Sequence, residues 1–325
     1  MSRKLAFGLL IGTLLLAACG SSTPATPAPA ATQPAATESP TPTFPPTAAP
    51  IVLTDDLGRT VTLASPAQRI ISLAPSNTEI LFAIGAGSQV VGRDEISDYP
   101  EEVKPLPTVG GWSGFSTESI VALHPDLVLA ADTIPAELVA SLEDLGLTVY
   151  RLANPLTLED LYANLETVGM LTGHESDAAA LVDSLQVRVA AIDEKIAAVT
   201  ERPTVYYELD ATDTTKPFTS GPGTFVDLLI SRAGGSNVAA DLTSQWAQIS
   251  LEQLVVANPD FIILGDSAYG TTAESVKQRP GWNQLAAVQN DQIFPFDDNL
   301  ISRPGPRLVD GLEALAKLLH PDLFQ

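Results

Sequence analysis

The stretch Trp112-Ser113-Gly114-Phe115-Ser116-Thr117-Glu118-Ser119-Ile120-Val121-Ala122-Leu123-His124-Pro125-Asp126 has an echo in Trp246-Ala247-Gln248-Ile249-Ser250-Leu251-Glu252-Gln253-Leu254-Val255-Val256-Ala257-Asn258-Pro259-Asp260. Trp112 aligns with Trp246, Ser116 with Ser250, Glu118 with Glu252, Val121 with Val255, Pro125 with Pro259 and Asp126 with Asp260, all at one constant offset. Asp132 and Asp266 keep that offset. A weaker echo pairs Ala86-Gly87-Ser88-Gln89-Val90 with Gly234-Gly235-Ser236-Asn237-Val238. A long internal repeat is the mark of a duplicated structural unit, so two related halves are expected.

Each part of the block has a physical reading. Ser116 and Ser250 precede apolar-periodic runs and are expected as helix N-caps, supplying an oxygen to unpaired backbone donors. Ser250 with Gln253 fits a capping box. Glu118 and Glu252 then fall in the first turn, where a negative charge opposes the helix dipole for about 0.3–1 kcal/mol. The dipole accounts for one glutamate; it accounts less well for the same position in both copies. Pro-Asp ends each helix and leads into a buried strand. The tryptophans lie in the loops before the helices. In parallel α/β units ligands gather at loops on one end of the sheet, and one aromatic from each half can grip a flat ligand from two sides. The alternative is a tryptophan packing against its own half.

Outward from the blocks, short apolar runs alternate with helical patterns. Val52–Leu63 alternates around Asp55-Asp56-Leu57-Gly58 as a small hairpin. Arg69–Ala74 is of strand type, Pro75-Ser76-Asn77 a break, and Thr78–Ile84 a helix. The alternation continues through strands at 90–92, 127–130 and 148–152, with helices at 117–123 and 135–145. Strands alternating with helices at this spacing predict parallel-rich central sheets in an α/β fold. Thr157 opens a further helix as its cap, and Gly173 suits its stop. The longest helical pattern follows, about Ser176 to Thr200, with Leu181, Val182, Leu185, Val189, Ile192, Ile196 and Val199 on one face. After Pro203 the alternation restarts at Val205-Tyr206-Tyr207. The repeats fall on opposite sides of the long helix, so it reads as a stiff connector; one more packed helix of a single domain is the plainer alternative. The division is an N-terminal lobe at 51–173, a connecting helix at 174–202 and a C-terminal lobe at 203–325.

The N-terminal stretch has a different character. Arg3 and Lys4 precede an apolar run from Leu5 to Ala18, shorter than the roughly 20 residues a spanning helix needs. It ends in Leu16-Ala17-Ala18-Cys19 followed by Gly20. A secretory signal at 1–19 is expected. The final residues resemble a bacterial lipobox, whose cysteine becomes the lipidated first residue of the mature chain; an ordinary signal peptide with a chance cysteine is the alternative. Cys19 is the only cysteine, so neither a disulfide nor a cysteine-based metal site is available. Residues 20–50 are Pro, Ala, Thr and Ser with little bulky apolar content. Such a segment buries too little surface to offset its ordering entropy and reads as a disordered tether. The expected location is extracytoplasmic, at the periplasm or the outer face of a membrane.

With 17 basic and 39 acidic residues the net charge is −22, and removal of Arg3 and Lys4 makes it more negative. This argues against nucleic acid and against anionic membrane surfaces as partners. No Gly-x-Ser-x-Gly elbow, phosphate-cradling loop or paired His-carboxylate motif is present, so an enzyme is not expected. The three histidines, His124, His174 and His320, are scattered at helix ends and offer no zinc-binding spacing.

Beyond the two blocks, the chain carries Arg69-Ile70-Ile71-Ser72-Leu73-Ala74-Pro75-Ser76-Asn77-Thr78-Glu79, Ser97-Asp98-Tyr99-Pro100, Pro217-Phe218-Thr219-Ser220-Gly221 and Arg303-Pro304-Gly305-Pro306-Arg307. With these motifs, essentially all of 51–325 resembles the helical-backbone (class III) solute-binding proteins of ABC importers, which serve cobalamin, siderophores and haem. Within that class it is most similar to the periplasmic cobalamin-binding proteins. The resemblance implies two rigid lobes joined by the long helix, a cobalamin or related corrinoid between them, and only modest closure. It implies that Glu118 and Glu252 dock onto arginines of a permease dimer served by an ATPase. It implies ligand contacts at Trp112, Trp246, Asp298 and Arg303, to which Ser76, Asn77, Tyr99 and Ser220 of the shared motifs are added. A monomer is expected, without cofactor or metal. The cobalamin members carry further aromatics where this chain has Ile96, Ala131 and Leu209. The cleft is then less aromatic, which leaves room for a related corrinoid or an iron chelate; Arg93, Arg303 and Arg307 would favour an anionic chelate, although Arg307 opens the last helix and has an equal structural reading, and Tyr99 and Tyr269 are available haem ligands.

Overall fold

The computed structural model describes residues 49–325. The expected signal segment, Cys19 and all but the last two residues of the tether lie outside the described residues.

Residues 48–325 form one compact unit. It opens with an antiparallel hairpin, β1 (Ile51–Thr54) and β2 (Thr60–Leu63). The N-terminal lobe then builds β3 (Ile70–Ser72), α1 (Pro75–Ala83), β4 (Val90–Arg93), the two-residue strands β5 (Gly110–Gly111) and β6 (Gly114–Phe115), α2 (Thr117–Ala122), β7 (Leu127–Ala131), α3 (Ala136–Asp144), β8 (Val149–Leu152) and α4 (Leu158–Thr172). Its central sheet runs β4-β3-β7-β8, all parallel. The connecting helix α5 spans Glu175–Ile196.

The C-terminal lobe repeats the plan with β9 (Thr204–Asp210), β10 (Phe218–Ser220), α6 (Phe225–Arg232), β11 (Ser236–Asn237), β12 (Trp246–Gln248), α7 (Leu251–Ala257), β13 (Phe261–Leu264), α8 (Ala273–Lys277), α9 (Ala286–Gln289), β14 (Ile293–Pro295), α10 (Asn299–Ser302) and α11 (Leu308–Leu319). Its parallel strands run β11-β9-β13-β14, the order of the first lobe. The antiparallel β10 and β12 extend the sheet beyond the far end of β9.

The duplication reaches individual contacts. Asp126 accepts hydrogen bonds from the backbone N–H groups of Gln68 (2.8 Å) and Arg69 (2.9 Å) at the start of β3. Asp260 accepts from the N–H and hydroxyl of Thr204 (2.8 Å each) at the start of β9. The Pro-Asp pair thus fastens the next strand to its neighbour in both lobes. His124 (φ 48°) and Asn258 (φ 44°) occupy equivalent left-handed positions after α2 and α7. Ile120 and Leu254, the buried residues of those helices, each enter the core on the outer face of their own sheet.

The inner faces of both sheets share one core. Ile70 and Leu129 of the first sheet, Val205 and Tyr207 of the second, and the apolar faces of α4, α5 and α11 form one continuous cluster. Ala178, Val182, Leu185, Val189, Ile192 and Ile196 are the buried stripe of α5. The expected connector is therefore packed along its length as well as spanning the lobes. It ends at Ile196, short of the expected 202, because the last buried position of the stripe is there and a turn carries the chain to Pro203. Thr157 forms a capping box with Asp160, and Gly173 closes α4 at φ 77°.

One expectation is corrected at the start of α1. The helix begins at Pro75, so Pro75-Ser76-Asn77 is its first turn and not a break before it. Proline fits that position because its missing N–H has no intrahelical partner there and its φ is already helical.

Leu185→Ala is expected to cost about 2–5 kcal/mol. Because the core is common to both lobes, urea unfolding followed by circular dichroism and by tryptophan fluorescence should stay a single transition with coincident probes at a lower midpoint. Two separated transitions would show that the lobes have independent cores.

Candidate functional site

The strands of each parallel sheet end on the side where ligand sites of α/β folds are found. In the first lobe, Gly110-Gly111-Trp112-Ser113-Gly114 makes a hairpin whose two-residue tip is Trp112-Ser113. Glycine is required here. Gly110 and Gly114 have φ 118° and 119°, and a Cβ on Gly111 would run into the Glu95 side chain. Glu95 in turn accepts the Trp112 N–H at 3.1 Å. The tip holds the Trp112 indole 90% exposed. Beside it lies a cavity of ≈ 380 Å³ over the ends of β3, β4 and β7, bordered by Leu73, Ile96, Phe115, Ile134 and Leu138 together with Trp112. Its wall is mostly apolar, the pattern expected of a pocket for a flat organic ligand. Asp94 beneath it is buried and spent on the N–H groups of Ile96 and Ser97 and the Ser97 hydroxyl.

The second lobe places Trp246 on β12 opposite Ser220 of β10, half-exposed. Tyr269, in the turn after β13, is 92% exposed. Asp298, at the start of α10, accepts the hydroxyls of Tyr207 and Ser302, each at 2.6 Å. Burial, reinforced by the Asp298 charge and hydrogen bond, pushes the Tyr207 phenol far above its ordinary range, so Tyr207 stays a donor that orients Asp298.

Three sequence-predicted site residues sit below the surface. Asn77 is buried, and its amide donates to the Leu129 carbonyl (3.2 Å). Ser220 is fully buried, and its hydroxyl donates to that of Thr224 (2.8 Å). Ser76 is buried in the first turn of α1, bordering a small cavity shared with Asn77, Ala131 and Pro304. Asn77 and Ser220 are tied into the walls by these bonds, whereas no hydrogen bond ties the Ser76 hydroxyl among the described residues. Cys19 lies outside the described residues.

The arginines read as candidates for an anionic ligand are committed elsewhere. Arg93 is buried and donates to the carbonyls of Asp94, Val103 and Lys104. Arg307, at the head of α11, donates to both carboxylate oxygens of Glu79 on α1, at 2.8 and 2.5 Å, and its guanidinium lies 4.1 Å from the Tyr99 ring centre. Arg303 donates to Asp98 at 2.6 Å and stands 3.5 Å from Glu79. Glu79 is 2% exposed. These pairs join one lobe to the other across 205 and 228 residues of sequence. The sequence reading passed over Glu79 and Asp98, although both stand inside motifs it used. Glu79 is the fifth residue of α1, and its cation lies too far along the chain for a local pattern to reveal it. A larger cavity, ≈ 620 Å³, lies along α5 and is bordered by Phe82, Leu185, Arg188 and the Glu79–Arg307 pair. Its cations are paired, Arg188 with Asp310 (2.6 Å) and Glu313 (3.1 Å), and its one carboxylate outside an ion pair, Glu102, is exposed at its edge.

Glu118 and Glu252 both lie in the first turns of their helices, exposed, under serine caps. Among the described residues neither takes part in an ion pair. No group of three or more His, Cys, Asp or Glu residues suited to a metal occurs among the described residues.

The sequence profile of the family described as periplasmic binding protein matches residues 70–300. The chain belongs to the periplasmic binding protein family. The uncharacterised ABC transporter substrate-binding lipoprotein YvrC of Bacillus subtilis (strain 168) is 32% identical to this binding protein over 98% of the chain and 96% of its own length. The vitamin B12-binding protein of Vibrio cholerae serotype O1 is 33% identical over 78% of the chain and 90% of its own. The structure of the periplasmic haem-binding protein RhuT of Roseiflexus sp. RS-1 in apo form superposes with a TM-score of 0.71 at 29% identity, covering 80% of this chain and 100% of that one. The binding protein is thus the extracytoplasmic substrate-binding component of an ABC transporter, of the helical-backbone class, and not an enzyme.

In this binding protein the Asp98–Arg303 pair carries a pH signature. Burial opposes ionisation of Asp98, but the hydrogen bond and charge of Arg303, with the charge of Arg307 behind it, outweigh burial and hold the carboxyl below its ordinary value. A depressed folded value means stability that is present above the unfolded value, about 3.9, and lost as pH falls through the folded one. The melting-temperature gap between the native protein and Asp98→Asn should be constant from pH 7 to about 5 and shrink below that. A gap that closes between pH 7 and 5 would contradict this assignment.

Proposed function

We propose that this binding protein captures cobalamin or another corrinoid between its lobes and delivers it to a permease dimer whose ATPase drives import. The observation that carries the reading is the apolar half-cavity headed by a fully presented indole, Trp112, with Trp246 exposed at the equivalent position of the other lobe. A corrin macrocycle with its side chains is larger than one such half-cavity, so its second face would fall to the C-terminal lobe. In the proposed site Trp112, Trp246 and Tyr99 supply aromatic contact, and Asp298 and Arg303 supply polar contact at the rim. Ser76, Asn77 and Ser220 shape the walls from behind.

Charge supports the same choice. Haem propionates and most iron chelates are anionic, whereas Arg93, Arg303 and Arg307 are already neutralised by carboxylates or bound to carbonyls. None of these three guanidiniums is left free to draw an anion. Haem or iron-siderophore capture is the second reading. Exposed Tyr269 favours it, because a phenolate can ligate ferric iron, and so does the likeness to a haem-binding structure. Lipidation at Cys19 and a tether at 20–50 would hold the body near the permease, and the mature protein would act as a monomer.

Titration of the full chain with cobalamin, followed by tryptophan fluorescence, should give saturable binding. Trp112→Ala and Trp246→Ala should each weaken it roughly tenfold or more, the loss expected for about 1.4 kcal/mol or more of aromatic contact. Saturable quenching by haem with none by cobalamin would transfer the assignment to the second reading.

Docking is a separate part of the proposal. Glu118 and Glu252 offer one unpaired carboxylate per lobe, suited to charge-assisted pairing with permease arginines. Glu118→Ala with Glu252→Ala should leave ligand affinity unchanged and abolish uptake in whole cells. Retained uptake would leave the two glutamates as helix-dipole residues only.

A further inference from the structure

We infer that Glu79 is a positioning residue that sets the separation of the lobes before any ligand arrives. The inference concerns the empty protein and does not rest on the identity of the ligand. Two arginines of the C-terminal lobe converge on this one carboxylate of the N-terminal lobe. Arg307 binds both of its oxygens (2.8 and 2.5 Å), and Arg303 reaches it at 3.5 Å while holding Asp98 at 2.6 Å. The bidentate geometry fixes angle as well as distance. The Glu79 side chain is 1% exposed and that of Arg307 13%, so salt screens the pair far less than a surface ion pair.

The pair is covered on two sides. Tyr99 covers one face of the Arg307 guanidinium. Gly305, between the two arginines, is buried against α1, where an added Cβ would lie 3.4 Å from the Glu79 carboxylate and 3.5 Å from the Ser76 carbonyl. Arg307 is also the first residue ahead of α11, whose apolar face belongs to the shared core. The clasp therefore ties the cleft-side helix α1 to the helix that packs on α5. Glu79 and Arg307 border the same cavity as Leu181, Leu185 and Arg188 of α5, so the clasp adds a directional polar attachment beside the apolar one along α5, and the two together restrain the lobes more tightly than α5 alone would.

The clasp has an inner and an outer member. Glu79–Arg307 is buried, whereas the Asp98 side chain is 57% exposed. Loss of the inner member should release the aperture, and loss of the outer one should loosen it in part.

The test is the distance between the lobes, measured by pulsed electron–electron spin resonance without ligand. The full chain carrying Cys19→Ser would bear spin labels at Leu145→Cys on the first lobe and Val256→Cys on the second, both exposed. The native clasp should give one narrow distance. Glu79→Gln, which keeps the side-chain shape but removes the charge, should broaden the distribution and add a longer component. Asp98→Asn should broaden it less. Circular dichroism and a cooperative melt establish that each variant is folded. A folded Glu79→Gln protein with the native distribution overturns the inference. If Glu79→Gln does not fold, Asp98→Asn decides, and a native distribution in that variant overturns it as well. If cobalamin fails to bind the native protein while Glu79→Gln still broadens the distribution, the ligand assignment falls and the role of Glu79 stands. Where cobalamin binds, Glu79→Gln should lower affinity mainly through slower association, because a smaller fraction of molecules holds the competent aperture.

Discussion

The architecture depends on the burial of one helical stripe. Val182, Leu185, Val189, Ile192 and Ile196 of α5 are enclosed by a core to which both sheets contribute. A two-lobed protein can join its lobes by strands that cross and bend, and then the lobes close on a ligand as on a hinge. Here each lobe would have to give up apolar contact along α5 to swing far. The cost of such exposure, about 25 cal/mol per Å² of apolar surface, makes a large swing unfavourable, whatever the ligand. A cleft of this kind has to be close to its final width when empty, and its selectivity has to be built into its walls.

Duplication supplied the two lobes, and the copies have diverged in the loops over the strand ends. The parts that hold the fold are retained. The serine caps, the aspartates at the starts of β3 and β9, and the left-handed residues after α2 and α7 match in kind and in contact. The loops over the strand ends do not match. The first lobe lifts Trp112 on a glycine-built hairpin standing clear of the sheet, while the second incorporates Trp246 into a strand of its sheet, where half of it is covered. Glycine at 110, 111 and 114 made the free hairpin possible; Ser244, Gln245 and Gln248 stand at the corresponding places of the second copy. A ligand with unlike faces suits a cleft with unlike walls.

Much of this was legible in the chain because it is local or periodic. The caps at Thr157, Ser116 and Ser250, the stop at Gly173 and the stripe of α5 follow from residues a few positions apart. The parallel order followed from the alternation of strands with helices and from the repeat. The start of α1 was misread because Pro75 was weighed as a breaker and not as a first-turn residue. Asn77 and Ser220 look like site residues from their polarity and motif, and only the fold reveals that Leu129 and Thr224 have already claimed them. The role of Glu79 was beyond any local reading. Its partner is 228 residues away, and a carboxylate among Ile80, Leu81 and Phe82 gives no hint of which cation buries it.

That hidden pairing also bears on the ligand. Read from the sequence, Arg93, Arg303 and Arg307 favour an anionic chelate, with a structural place for Arg307 equally open. In the fold, each guanidinium finds its partners within the protein, and the net charge of the Glu79, Asp98, Arg303 and Arg307 group is zero. A buried ion pair costs desolvation that its attraction barely repays, so such a cluster is a poor source of stability alone. Its consequence is geometric and electrostatic together. It joins the lobes beside α5 while leaving none of its own cations free to draw an anion. Release of Arg307 to bind a ligand carboxylate would leave Glu79 buried without its bidentate partner, at a cost of about 3–5 kcal/mol. The cluster inferred to hold the lobes apart therefore also agrees with the proposed ligand, one recognised by its flat apolar surface.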